Sequence, residues 1–404
     1  MDSRRLLWSW PVHAQTRHTL RSSRRPQGGG RRAATAAAAT ALCALAFGAL
    51  APPATAGARP EAVQQGLTAL VRSDGLPAAL ASVQDGTGRT RTYTAGVGDL
   101  ATGAKVPADG QVRIGSTTKT FTAVVVLQLV AEGKVALKDK VDTHLPGLVR
   151  GEGIDGRNIT VRQLLQHTSG VPDYEKDVDD DLLQRRYLEP RDILDKALRN
   201  KAVFAPGTDW GYSNTNYVLA GLIVQKVTGR PLAEEIDRRV VRPAGLRHTY
   251  FPAAGDTSIR ERHPRGYRQE PAGGPWRDVT DIDPSAAWAA GQMISTNSDL
   301  NRFFTALLAG KLLPAAQLAE MRTTVPLGDT GAGYGLGIMS RPLSCGGVYW
   351  GHGGDIMGYE TRGGITEDGR AAANVTVTAV PADAQTAKRV DDVVDTALCG
   401  ASRK

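Results

Sequence analysis

Strand-like runs stand at both ends of this chain and a long helical stretch lies between them. That order limits the fold more than any other feature of its 404 residues. Near the start, residues 77–84 and 90–97 are β-rich runs joined by Asp85-Gly86-Thr87-Gly88, which predicts a hairpin. Near the end, residues 347–350, 358–366 and 371–380 read as strands. Between the two groups, apolar residues recur at helical spacing over 161–166, 191–198, 216–227, 232–240 and 299–308. Further helices are expected at 57–73 and 382–398, and the polar stretch 177–186 at the surface. Two ends that both supply strands are accommodated by one antiparallel sheet flanked by helices, with the helical block inserted between them. The expected class is α/β (α+β), with 57–115 and 325–404 forming the sheet subdomain and 116–324 a large, mainly helical one.

An apolar content of 41% is enough for a large core. The net charge of +8 does not describe the folded part, because seven of those charges belong to residues 1–56, with eight arginines and one acid. No nucleic-acid face follows from it. Residues 33–50 form an uncharged, alanine-rich run, followed by Pro52-Pro53 and Ala54-Thr55-Ala56. This pattern predicts an export signal over 1–56, cut near Ala56, and a secreted, extracellular product with no stable membrane span after processing. Cleavage leaves Cys345 and Cys399, an even number in an oxidising compartment, and a disulfide between them is expected.

The stretch Ile114-Gly115-Ser116-Thr117-Thr118-Lys119 opens a run of apolar residues that predicts a buried helix over 117–133. Ser116 and Lys119, three apart, share one helical face, so the amine reaches the hydroxyl. With 16 serines and 12 lysines, about 0.5 such pairs arise by chance, so the pair alone also fits a capping serine beside a buried lysine. Two later motifs narrow the choice. Tyr212-Ser213-Asn214 lies in a polar turn before a helix, and Trp350-Gly351-His352-Gly353-Gly354-Asp355 follows a strand-like run whose glycines leave room for a substrate.

With these three motifs in order, the chain resembles the penicillin-recognising serine hydrolases: class C β-lactamases, D-alanyl-D-alanine carboxypeptidases and related esterases. The resemblance covers roughly residues 60–400 and includes the phrases at 164–170 and 290–296. It implies one β-lactamase-like serine hydrolase domain over 57–404, with Ser116 as nucleophile and Lys119 and Tyr212 as proton-transfer groups. It also implies Asn214 on the substrate amide, His352 where many relatives carry lysine, and an oxyanion held by the backbone N–H groups of Ser116 and Asp355, beside Gly354. Gly353 and Asp355 stand where some peptidases place hydroxyls that meet a substrate carboxylate, so Arg341 and Arg362 become candidates for that charge. Trp288, Tyr334 and Trp350 are read either as cleft lining or as core, and His167 as a structural histidine. The implied activity is that of a D-Ala-D-Ala carboxypeptidase on cell-wall peptide, inhibited by β-lactams, with a family esterase or class C-like β-lactamase as the alternative and a non-catalytic penicillin-sensing module as a further one. Neither metal nor cofactor is expected, and the chain is expected to be a monomer.

Overall fold

The computed structural model describes residues 58–178 and 186–402. The expected leader and most of the polar stretch 177–186 lie outside them. Nine strands form one antiparallel sheet: β1 (Ala78–Gln84), β2 (Thr90–Gly96), β3 (Val325–Pro326), β4 (Gly333–Tyr334), β5 (Met339–Pro342), β6 (Val348–Gly351), β7 (Gly354–Ile356), β8 (Tyr359–Thr366) and β9 (Ala372–Val377). Their order is β2-β1-β9-β8-β6-β5-β4-β3, with β7 also on β8. The two ends of the chain meet inside this sheet, where β1 pairs with β9 from Ala79↔Val377 to Gln84↔Ala372. The sheet is therefore made by both ends, as the sequence pattern requires.

The helices that frame the site are α1 (Ala58–Arg72), α2 (Thr118–Ala131), α3 (Thr215–Thr228), α4 (Asn297–Leu308) and α5 (Ala384–Ser402). On one face of the sheet, Leu67 and Leu70 of α1 and Val390, Val394 and Leu398 of α5 form an apolar layer. On the other face α4 is tied by amides: Asn297 Nδ2 donates to the Leu80 carbonyl at 3.0 Å and Asn301 Nδ2 to that of Ser82 at 2.9 Å. With both faces covered, six of the seven β1 residues are buried and the strand shows no alternation. Helix α2 is buried around most of its circumference, with Phe121 stacked on Phe303 at 3.8 Å between ring centroids. Its uninterrupted apolar sequence has that cause.

Several boundaries differ from the expected ones. The helix expected over 117–133 starts at Thr118, after a 3-10 turn at Gly115–Thr117 that carries Ser116. The segment 232–240 is helical at Leu232–Ile236 and widens into a π turn at Asp237–Val241. Strands β3, β4 and β5 have two to four residues, too few for a period of two to show in the sequence. Cys345 and Cys399 are joined in a disulfide, with Cα atoms 5.8 Å apart, which ties the β5–β6 loop to α5. Among the described residues no helix is long and apolar enough to cross a membrane.

Candidate active site

Strands β6 and β7 lie along the same edge of β8 in a single register, with Gly351 opposite Gly364 and Gly354 opposite Thr361. His352 and Gly353 fill the gap between them. The 3-10 turn carrying Ser116 packs directly on β7, and glycine on each side allows the approach. A Cβ on Gly354 would stand 1.9 Å from the Ile114 carbonyl oxygen, and one on Gly115, where φ is +47°, would stand 2.8 Å from the Asp355 nitrogen. Thr117 Oγ1 adds a bond to the His352 carbonyl at 3.0 Å. The backbone at Ser116 is thereby set beside that of Asp355. The first N–H groups of a helix have no partner within it, so a developing oxyanion finds donors here.

Ser116 caps nothing. Its Oγ lies 2.9 Å from Lys119 Nζ, which also donates to Asn214 Oδ1 at 2.6 Å and to the Ala290 carbonyl at 2.8 Å. Asn214 Nδ2 donates to Asp173 Oδ2 at 3.1 Å, and this fixes the amide with its oxygen toward the lysine. Asn214 Oδ1 and the Ala290 carbonyl can only accept. A neutral lysine that gives its two N–H groups to them turns its lone pair to Ser116 Oγ. Burial pulls the Lys119 pKa down to about 7, although Glu175, Asp173 and Asp355 oppose the shift. Roughly half of the amines are then neutral at pH 7, against about 1 in 2,500 at the ordinary value near 10.4.

Tyr212 is shifted the other way. Desolvation raises its phenol well above the usual value, despite a bond with Ser116 that favours the phenolate. It stays an O–H donor, with its ring 4.9 Å from Lys119 Nζ and 4.3 Å from the His167 ring. The site thus pairs a hydroxyl and a neutral amine with a protonated phenol.

His352 is 2% exposed, with Nε2 2.9 Å from Tyr334 Oη and Nδ1 2.5 Å from the Gly353 carbonyl. Burial, reinforced by Lys119, lowers its pKa to about 3, so it is neutral. Arg362 is paired with Asp355 and with Glu360 at 2.9 Å, and Arg341 Nη1 bonds Asp391 at 2.9 Å. Trp350 is buried under the Arg322 guanidinium at 4.6 Å, and Trp288 packs where a Cβ on Gly221 of α3 would meet its ring at 2.8 Å. Both pack on neighbouring elements, Trp288 with part of its surface exposed. Tyr334 is fully buried between His167 and His352, 3.0 and 2.9 Å away. Asp173, Glu175 and the Ala290 carbonyl were not singled out from the sequence. Ala290 falls within the quoted phrase 290–296, whereas a lone acid in a loop and a main-chain oxygen leave no mark. Among the described residues no group of three or more His, Cys, Asp or Glu side chains is placed to hold a metal ion.

A serine hydrogen-bonded to a buried lysine, on a turn packed against the edge of such a sheet and beside an inserted helical block, is the arrangement of a class of acyl-transfer hydrolase. The sequence model of the Beta-lactamase family matches residues 62–396, and the chain belongs to that family. Among solved structures it is similar to a D-stereospecific amidohydrolase from a Streptomyces species, with 41% identity and a TM-score of 0.77, covering 83% of this chain and 98% of that one. It is similar also to the D-amino acid amidase of Ochrobactrum anthropi SV3 complexed with D-phenylalanine, at 29% identity and a TM-score of 0.76, covering 84% and 98%. Among curated proteins, a putative penicillin-binding protein, PbpX of Bacillus subtilis (strain 168), is 29% identical over 59% of this chain and 55% of its own length. Protein flp of Staphylococcus aureus (strain MW2) is 30% identical over 42% of this chain and 33% of its own length. These matches span about half or less of the curated relatives. A penicillin-binding protein homologue from Pyrococcus abyssi, 24% identical with a TM-score of 0.72, shares the fold and is octameric, so the expected monomer gains no support.

Proposed function

We propose that this protein is an exported serine hydrolase that cleaves an amide bond on the carboxyl side of a D-amino acid, preferring an amide to a free carboxylate beyond that bond. The observation that carries the preference is electrostatic. A carboxypeptidase must hold the terminal carboxylate of its peptide, and the cations near the site are committed elsewhere. His352 is neutral with both ring nitrogens bonded, Arg362 is paired with Asp355 and Glu360, and Lys119 is fully buried behind Ser116. Burial holds the carboxyls of Glu175 and Asp173 above the usual carboxylate range, and Asp355 is paired with Arg362. This balance suits an uncharged leaving side. The likeness to the D-stereospecific amidohydrolase at 41% identity supports both the D configuration and the amide. The carboxypeptidase expected from the motifs is thereby displaced from first place.

In the proposed reaction Ser116 Oγ attacks the carbonyl carbon while neutral Lys119 takes its proton. The oxyanion rests on the backbone N–H groups of Ser116 and Asp355. Tyr212 gives its hydrogen to the departing nitrogen and regains one from Lys119. The C–N bond breaks, ammonia or an amine leaves, and water then releases the acid by the reverse proton path. Export is supported by the leader pattern and the disulfide, which persists in oxidising compartments.

The test offers the purified protein D-phenylalanine amide, its L enantiomer and a diacyl-L-Lys-D-Ala-D-Ala peptide. Ammonia release from the D-amide, in excess over both others, is the expected result. D-alanine release as the faster reaction would restore the carboxypeptidase.

A further inference from the structure

We propose that His167, Tyr334 and His352 form one proton-ordered hydrogen-bond chain that locks His352 as the Nδ1–H tautomer, with Tyr334 as the positioning residue of the third motif. The order follows from which atoms can donate. The Ser213 backbone N–H donates to His167 Nδ1 at 3.2 Å, and Asn216 Nδ2 lies 3.2 Å from the same nitrogen. The oxygen of that Asn216 amide accepts from Ser169, so its nitrogen is the group facing His167. His167 Nδ1 is therefore an acceptor, and a neutral ring carries its hydrogen on Nε2. That hydrogen is 3.0 Å, heavy atom to heavy atom, from Tyr334 Oη, which must accept it. The Tyr334 hydroxyl then donates to His352 Nε2 at 2.9 Å, leaving the His352 hydrogen on Nδ1, where the Gly353 carbonyl accepts it at 2.5 Å.

The same answer comes from the other end. A carbonyl oxygen 2.5 Å from a ring nitrogen requires a hydrogen between them, so Nδ1 bears it and Nε2 must accept. Burial opposes a second proton on both rings, with Lys119, Arg341 and Arg362 adding to it at His352 and Lys119 at His167, and burial keeps the Tyr334 hydroxyl protonated. Tyr217 Oη, whose own hydrogen goes to the Leu165 carbonyl, also bonds Tyr334.

The chain joins the two loops that would flank a substrate. At one end it holds Ser213 and Asn216, on either side of Asn214. At the other it holds His352 and Gly353, in the gap between β6 and β7 along β8, and the His352 carbonyl in turn accepts from Thr117 beside Ser116. Each link accepts on one side and donates on the other, and the Tyr334 hydroxyl is the middle one that joins the two imidazoles. Tyr334→Phe keeps the ring in its pocket and breaks the chain. His352 Nε2 then has no donor and His167 Nε2 no acceptor.

The tautomers are read directly by 1H–15N NMR of histidine side chains in the wild-type protein, assigned with His167→Gln and His352→Gln. Neither ring should titrate between about pH 5 and 8, with His352 protonated on Nδ1 and His167 on Nε2. The opposite tautomer at either ring, or a midpoint near the ordinary 6.5, overturns the proposal. In Tyr334→Phe, the Nε2 signals of both His167 and His352 should shift, because each loses its hydrogen-bond partner. The kcat for D-phenylalanine amide should fall on the order of 10- to 100-fold, and KM should change little. Unaltered Nε2 signals with an unaltered kcat would equally overturn it. The kinetic arm rests on the proposed amidase reading, whereas the NMR arm does not. A protein with the predicted tautomers and no amidase activity counts against the function alone.

Discussion

Lys119 sits in a conflict between burial, which expels its charge, and the carboxylates of Glu175, Asp173 and Asp355, which favour it; burial wins and leaves a pKa of about 7. In the proposed reaction the neutral amine is the reactive form, so kcat/KM should rise with pH through about 7 and level off above it, as a pH–rate series would show. A flat profile from pH 6 to 8 would place the proton elsewhere. Stability moves the same way. Between about 7 and the ordinary value of the unfolded chain, the unfolded state binds more protons than the folded one, so folding gains stability as pH rises across that window. Lys119→Met removes both effects. Its kcat should fall by about 10²–10⁴-fold, and urea unfolding should show a variant at least as stable as wild type at pH 7, with the advantage shrinking by pH 9. Four of the groups involved, Ser116, Lys119, Tyr212 and Asn214, were legible because each falls in a motif whose spacing has a geometric meaning. The Ala290 carbonyl and Asp173, which aim the lysine and the amide, were not, since a main-chain oxygen and a single loop acid resemble many others in the chain.

Strand β7 and the turn at Gly115–Thr117 touch backbone to backbone, and two glycines set that distance. Gly354→Ala would put a methyl 1.9 Å from the Ile114 carbonyl oxygen, a contact that only backbone movement relieves. The expected cost is about 1–3 kcal/mol by chemical denaturation, and because Asp355 moves with the strand, kcat should fall more than the lost stability explains. Full activity in a destabilised Gly354→Ala protein would separate the strand from the oxyanion. The glycines of the third motif were readable as room for a close approach, but the sequence suggested a substrate as the neighbour. Ile114 fills that space at Gly354 and the Arg362 side chain at Gly353. The placement of His352 was hidden for a related reason: its partner Tyr334 stands on β4, that residue's other partner is His167, and only the folded chain brings the three together.

At the scale of the whole molecule, a sheet assembled from both ends is closed by the β1–β9 pairing of residues far apart in sequence, and the Cys345–Cys399 disulfide separately ties the β5–β6 loop to α5 across a separation of 54 residues. Replacing both cysteines with serine should cost about 2–4 kcal/mol in denaturant midpoint and leave kcat near wild type, because neither sulfur touches the site. The architecture was legible because strand-rich ends around a helical block admit few arrangements. The short strands β3 to β5 were not, being set by tertiary pairing. Whether the family's chemistry runs in this chain depends on one bond, between Ser116 Oγ and an acyl carbon. Intact-mass analysis after incubation with a penicillin reports that bond directly. The wild type should gain one penicillin mass, mapped to the Ser116 peptide, and Ser116→Ala should gain none. An adduct that persists in Ser116→Ala would contradict the account.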